Sequence, residues 1–474
     1  MVNLRSRCGV IKMHISTKLT CFTQDKSANS LPVFLVKKEN FANWLKEQSS
    51  FLQNFVKQFD NNKTVLVIPN LEGNVDKVIC LVSKSMFSMA ELPAQLSSGH
   101  YHIEYSDIKD LSLYYIAFAL ASYKFERYKS KTSETEVKLF LPQEYQHILI
   151  STEANYIVRD MITTPAEDMG PADISAVIKQ LATQFNAKFG EIVGEDLANQ
   201  GYMGIYTVGK GSHRPPRLVR LNWGNEEHPK ISIVGKGVAF DTGGVDIKPA
   251  AGMLLMHKDM GGSANAIGLA YMIMKYNLPV NLSLVIPTVE NAIDAKSYRP
   301  SDIIKMKNGT TVQVTNTDAE GRLILVEPLH EEAQKKPDYL IDFSTLTGAA
   351  RVAVGTEISA FFCNNDEVAN EVYKYGESMQ DYVWRLPLAD CYRKSLKTEF
   401  ADISHCDLSP FAGAVKAALF MEHFVGEDDD APNWIHFDMM AWNPSSTPGK
   451  PKGGEMMAAR AMFELLKNKY KTNI

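Results

Sequence analysis

The sequence predicts an α/β fold in two parts: a C-terminal domain with a central, mostly parallel sheet flanked by helices, and a smaller N-terminal α/β domain. Three observations carry this. The chain has 474 residues, whereas a single hydrophobic core stops growing beyond about 250–300 residues. From about residue 170 onward, helical spacing alternates with short apolar runs, the pattern of helices covering a sheet. Most of those runs, Ile231–Val234 and Tyr339–Phe343 among them, are apolar throughout, as strands buried on both faces require.

The elements follow in chain order. The opening stretch, MVNLRSRCGVIKMHIS, carries Arg5, Arg7 and Lys12 with no apolar run behind them, so no secretory signal is expected. Its basic, acid-free character leaves an organelle-targeting leader as the alternative. Phe41–Phe59 has helical spacing of Phe, Trp and Leu. Val65–Ile68 and Val78–Val82 read as strands separated by the turn signal at Pro69–Gly73. Val137–Leu141 reads as the last strand of the first unit and ends at Pro142. A helix over Glu153–Met161 then runs into Thr163-Thr164-Pro165, which punctuates the chain. The expected division is an N-terminal domain over 1–150, a linker helix over 151–168 and the larger domain over 169–474. In that domain Pro171–Phe185 is an amphipathic helix, and Ile231–Val234 runs straight into a Gly-rich loop. Ala264–Tyr276 is a helix whose small residues suit close packing. Val280–Ile286, Thr311–Thr315, Tyr339–Phe343 and Ile435–Met439 are further strands. Glu427–Asp430 is an acidic run read as a solvated loop, and the chain shows no internal repeat.

Composition excludes several classes. Hydrophobic residues make up 45% and charged residues 22%, so the chain is neither disordered nor fibrous. Lys plus Arg number 50 and Asp plus Glu 55, a net charge of −5 that exerts no global pull toward nucleic acid or anionic lipid. No apolar run approaches the roughly 18 residues of a spanning helix, so no membrane association is expected. Six scattered cysteines without a CxxC pair suit a reducing compartment, and the cytoplasm is the expected location.

Polar residues gather at the carboxyl ends of the predicted strands, where open α/β sheets place their sites. After Ile231–Val234 come Lys236, Asp241, Gly243, Gly244, Asp246 and Lys248; Asp259 precedes Gly261 and Gly262 at a helix start. After Thr311–Thr315 come Asp318, Glu320 and Arg322. A single Asp behind a strand is ordinarily a helix cap or turn residue, and a single Lys a surface charge. Several carboxylates in one crevice are different, because they cannot all ionise without countercharge. Divalent cations solve this, since carboxylate oxygens suit Zn²⁺, Mn²⁺ or Mg²⁺, and carboxylates shared by two ions form a two-metal hydrolase arrangement. A lysine joins such a cluster only as the neutral amine, which coordination favours. Other patterns fail. Gly204–Gly211 approaches a P-loop, but Gly211 stands where Ser or Thr must hold Mg²⁺, and the segment reads as a Gly-rich strand-end turn. His330–Gln334 approaches HExxH but lacks the second His. There is no GxSxG, and His257 is read as a site wall or surface residue.

The motif NTDAEGRL at Asn316–Leu323 resembles the signature of the cytosolic leucyl aminopeptidase family. VGKGVAFDTGG, IKPAAGM, KDMGG and STLTGA resemble further blocks of that family in the same order. The similarity covers roughly residues 155–465, and the first 150 residues match only in size and style. The resemblance implies a di-metal aminopeptidase in which Asp241 and Glu320 bridge two ions, Asp318 completes one site, and Lys236 and Asp259 complete the other. It further implies that Lys248 polarises the scissile carbonyl and that Arg322 holds a bicarbonate ion acting as general base. Met256, Thr345 and Gly348 would line the pocket for the first side chain, with the Leu346 carbonyl facing the substrate. The metals implied are zinc or manganese, with magnesium a third candidate. The substrates implied are short peptides with Leu- or Met-like first residues, and the assembly a homohexamer.

Two departures touch substrate preference. Val326-Glu327-Pro328 replaces the usual Cys/Ala-Asp stretch, and its proline is expected to shift the start of that helix. Ser409–Ala414 replaces a Gly-rich stretch, with Lys416 where a Thr is common. The alternatives are a narrower dipeptidase such as a Cys-Gly hydrolase, and a DNA-binding regulator, for which no basic run in the N-terminal domain speaks.

Overall fold

The computed structural model describes residues 19–27, 29–58, 63–131, 136–427 and 430–471. The expected leader, Cys8, Phe59 and two residues of the acidic run lie outside these. The chain is mixed α/β. Its N-terminal domain holds a six-stranded sheet in the order Phe22–Thr23, Val137–Phe140, Gly99–Ser106, Leu31–Lys37, Val75–Val82, Val65–Pro69. The last two strands pair antiparallel across the predicted turn, and the rest pair parallel. The helix expected over Phe41–Phe59 is two short ones, Phe41–Lys46 and Ser50–Val56. Ser49 divides them, its hydroxyl accepting from the Leu52 amide as a fresh N-cap.

The C-terminal domain is built on a nine-stranded sheet. Its centre runs Trp434–Asp438, Tyr339–Ser344, Lys230–Gly235, Asn281–Asn291, all parallel. These central strands are almost wholly buried on both faces, which explains their unbroken apolar runs. Antiparallel strands flank the centre: Ser359–Cys363 on one side, Arg217–Trp223 and then Lys188–Val193 on the other. The predicted strand at Thr311–Thr315 is shorter, Thr311–Gln313, and lies outside the main sheet. It pairs with Ile303–Lys305 and Ile403–Ser404 in a separate three-stranded sheet, because only Val312 of the three is buried.

Helices cover both faces. Ile148–Thr163 extends the predicted Glu153–Met161 helix at both ends; Ile148 packs in the N-terminal core and Ala154 to Ile162 in the main core. Gly261–Tyr276 crosses the Tyr339–Ser344 strand so closely that a Cβ on Gly262 would stand 2.2 Å from the Phe343 carbonyl oxygen. The Gly204–Gly211 segment is not a strand-end turn: Met203–Gly209 is a helix. Its first amides, Gly204 and Ile205, donate to the Glu327 carboxylate, so a charge remote in sequence caps it. Nor does Pro328 shift the following helix, which begins at Glu320 and continues through the proline to Gln334. Burial of Leu323, Ile324, Leu325 and Leu329 offsets the roughly 3 kcal/mol an internal proline costs. Among the described residues, no helix is long and apolar enough to cross a membrane.

Candidate active site

The site lies at the carboxyl ends of the central parallel strands. Lys236 directly follows the Lys230–Gly235 strand, and Asp241 ends Gly237–Asp241, which pairs parallel with the end of Asn281–Asn291. Behind Asp241 the chain reverses at Gly243 and Gly244, whose φ values of +87° and +64° belong to the left-handed region that glycine enters freely. The Gly243 amide donates to Asp241 Oδ1 at 2.8 Å, and this reversal brings Lys248 back toward the strand end. Asp259 sits in a short 3₁₀ turn, Met256–Met260, ahead of the Gly261–Tyr276 helix. Asp318 lies in another 3₁₀ turn and Glu320 opens the next helix.

Four carboxylates and two ammonium groups interlock here. Lys236 Nζ is 2.7 Å from Asp259 Oδ2 and 2.9 Å from Glu320 Oε1. Lys248 Nζ is 2.8 Å from Asp241 Oδ2 and also pairs with Asp318. Within the direct ion pairs, Asp241, Asp259, Asp318 and Glu320 against Lys236 and Lys248 leave two negative charges in excess, which Lys258 and Arg351 on the same cavity wall offset only at longer range. Lys236, Asp241, Asp259 and Glu320 are all buried, where such an excess is unfavourable. Burial, with Asp241 as a like charge, pushes the Glu320 carboxyl well above the usual range, and the same two causes raise Asp318. Burial pulls the Lys236 ammonium down, but Asp259, Glu320 and Asp241 outweigh it and hold it above an ordinary lysine. Lys248 is raised in the same way by Asp241 and Asp318.

Asp241, Asp259 and Glu320 each offer an oxygen, and the three lie within 4.8 Å of one another. Glu320 Oε1 and Asp318 Oδ1 sit in ion pairs without hydrogen-bond alignment, so they count among the buried oxygens lacking a hydrogen-bond partner. Converging hard oxygens with unmet hydrogen-bonding capacity fit divalent cations. Asp318 stands outside the tight triad, half-buried beside Lys248.

The cluster opens into a cavity of about 70 Å³ lined by Met256, Thr345, Leu346 and Gly348 as well. Thr345 Oγ1 donates to Asp259 Oδ1 at 2.7 Å, and the Thr345 carbonyl accepts from Lys236 Nζ at 3.3 Å. Arg322 is not on that wall. Its guanidinium is buried, Nη1 donating to the His405 carbonyl at 2.7 Å while Nε has no hydrogen-bond partner among the described residues. His257 packs edge-on against Trp442, and His330 bonds the Phe424 carbonyl far from the cluster. Lys416 is paired with Asp407 at 2.6 Å, so its unusual charge is neutralised locally.

Several residues escaped sequence reading. Asp438, at the end of its strand, accepts from the Leu346 and Thr347 amides and the Thr347 hydroxyl, pinning the turn that bounds the cavity. Asn291 Nδ2 donates to Asp241 Oδ1 and to the Thr317 carbonyl, tying two loops together. Lys258, Arg351, Met439 and Met440 complete the wall. Position at a strand end marked Asp438 and Asn291, but nothing local distinguished them from caps.

The catalytic-domain profile of the Cytosol aminopeptidase family matches residues 156–463, and an M17 aminopeptidase N-terminal domain matches 31–142. The chain belongs to the cytosol aminopeptidase family. It is therefore a metal-dependent aminopeptidase hydrolase. A probable cytosol aminopeptidase of Geobacter sp. (strain M21) is 36% identical over 371 residues, covering 75% of this chain and 74% of that one. The crystal structure of cytosol aminopeptidase from Coxiella burnetii superposes with a TM-score of 0.90 at 42% identity, covering 95% of this chain and all of that one. The bottromycin maturation enzyme BotP, solved in complex with Mn, gives 0.81 at 25% identity, over 92% and 99% of the two chains.

Proposed function

We propose that this aminopeptidase releases Leu- or Met-like first residues from short peptides, using two divalent ions and the residues of the strand-end cluster. The observation that carries the reading is the buried carboxylate triad of Asp241, Asp259 and Glu320, whose oxygens lie within 4.8 Å of one another. Asp241 and Glu320 would bridge the ions, Asp318 would complete one site, and Lys236 and Asp259 the other, Lys236 as the neutral amine. When bound, two such ions supply a water acidified to near neutral pH and a Lewis acid for the carbonyl. Asp259, on the metal side of the cavity, would hold the free α-amine, which makes the reaction exopeptidic. Lys248 Nζ, charged and partly open to the cavity, would donate to the carbonyl oxygen as negative charge grows there. Arg322, with a buried and unpartnered Nε, would hold bicarbonate as the proton shuttle. Met256, Thr345 and Gly348 would receive the first side chain, with the Leu346 carbonyl turned to the peptide. Zinc or manganese, a homohexameric assembly, a cytoplasmic location and the division 1–150, 151–168 and 169–474 belong to the same reading.

The test is hydrolysis of leucine anilide by protein stripped with chelator and reloaded with Mn²⁺ or Zn²⁺. Activity is expected to vanish on stripping, return with metal, and be absent on the N-acetylated substrate. Cleavage of the acetylated substrate, or full activity after stripping, overturns the proposal.

A further inference from the structure

Two cations on the cavity wall, Lys258 and Arg351, form no direct ion pair among the described residues. Arg351, exposed, stands one turn along the Gly348–Val354 helix; the one hydrogen bond of its side chain among the described residues is from Nη1 to Met440 Sδ, at 3.7 Å. A Cβ on Gly348 would stand 3.6 Å from Arg351 Nη2, so the guanidinium lies against the residue proposed to receive the first side chain. Lys258 lines the same cavity, is 3% exposed, and its side chain forms no ion pair or hydrogen bond among the described residues. Asp259 and Asp438 attract the Lys258 ammonium through space, but neither forms a direct ion pair with it, their oxygens accepting hydrogen bonds from other partners. Asp259 is held by Lys236 and Thr345, and Asp438 by Leu346 and Thr347.

A buried ammonium with no direct ion pair, beside a guanidinium open to solvent, is placed to meet an anionic group that a ligand brings. A guanidinium fork matches the two oxygens of a carboxylate, and a lysine adds a third donor point. Lys236 and Lys248 already face the metal-site carboxylates, so Lys258 and Arg351 are not needed there. Their wall also contains Met256 and Met440, which accommodate an aliphatic stem.

We infer that Lys258 and Arg351 form a carboxylate-binding wall of the substrate cavity, which directs the aminopeptidase toward peptides bearing an acid next to the scissile bond. The carboxylate comes from the side chain of an acidic first residue or from the C-terminus of a short peptide. The first source replaces the Leu- or Met-like preference; the second leaves it and favours free-acid dipeptides. The inference rests on the cavity assignment of the proposed function.

The experiment compares Mn²⁺-loaded wild type with Lys258→Met and Arg351→Met on two matched pairs: glutamyl against leucyl anilide, and Leu-Gly against Leu-Gly amide. In one pair wild type is expected to prefer the acid, and each variant to lower that kcat/KM ratio by about tenfold, mainly through KM. Movement in the anilide pair identifies the first side chain, and movement in the dipeptide pair identifies the C-terminus. Arg351→Glu supplies a gain that misfolding cannot imitate, a raised ratio of arginyl over glutamyl anilide or of Leu-Gly amide over Leu-Gly. Ratios unchanged in both pairs, with leucine anilide still cleaved, overturn the inference alone. Failure of wild type on all four substrates overturns the aminopeptidase assignment of the cavity and this inference with it.

Discussion

Glu320 shows how much a single side chain carries. It is buried, paired off-axis with Lys236, and raised by burial and by Asp241. Glu320→Gln removes one charge from a site proposed to hold two ions, so metal content by elemental analysis is expected to fall and activity with it, while circular dichroism stays native. Retained metal together with unchanged turnover would remove Glu320 from the site. Lys248→Ala is expected to lower kcat by about 10²–10³ with little change in metal content, since the proposed work of its Nζ is on developing charge. At this scale the lysines and carboxylates were legible because several charged residues stood next to glycines at strand ends. Asp438 was not: its three accepted hydrogen bonds come from Leu346 and Thr347, some 90 positions away, and no local pattern encodes such a partner.

Among the elements, the crossing of the Met203–Gly209 and Glu320–Gln334 helices depends on two residues. A Cβ at Gly204 would lie 2.4 Å from the Leu323 carbonyl oxygen, and that atom is backbone that cannot swing aside. Gly204→Ala is expected to destabilise the protein by about 1–3 kcal/mol, the ordinary range for overpacking, read as a lowered urea midpoint. Glu327→Ala leaves the buried Gly204 and Ile205 amides without acceptors and is expected to cost about 1–3 kcal/mol. If either variant unfolds at the wild-type midpoint, the two helices do not depend on that contact. The sequence pattern at Gly204–Gly211 resembled a phosphate loop because glycine serves close approach and turns alike. Only the partner helix distinguishes the two.

Across the molecule, the Ile148–Thr163 helix is tied to the C-terminal region through one buried pair. Arg159 Nη2 is 2.9 Å from Glu455 Oε2 and also donates to the Gly449 carbonyl, while Nη1 donates to the Leu120 carbonyl. Asn155 and Asn443 complete the Glu455 shell. Arg159→Met leaves a buried carboxylate uncompensated and is expected to cost about 3–5 kcal/mol. Adding Glu455→Gln is expected to recover part of that loss, and a strictly additive double variant would refute the pairing. Burial raises the Glu455 carboxyl, but Arg159 and its hydrogen bonds outweigh it and leave it below the ordinary value of 4.5. The stabilisation is therefore complete above pH 4.5 and is lost as pH falls through the lower folded value. Wild type is expected to lose more stability than Arg159→Met on acidification below that point, measured by urea melts at stepped pH.

The sequence by itself determined the two-part α/β architecture, the parallel centre of the main sheet and the residues of the metal-type cluster. Each is written locally: both-face burial makes a strand apolar throughout, and a strand-end site places charged residues beside glycines within one short loop. The tertiary structure alone decided that Thr311–Gln313 leaves the main sheet, that Pro328 lies inside a helix, that Arg322 is not among the residues lining the cavity, and that Lys258 and Arg351 line it with no direct ion pair among the described residues. Those outcomes depend on partners tens to hundreds of positions distant, whose contacts exist only once the chain has packed.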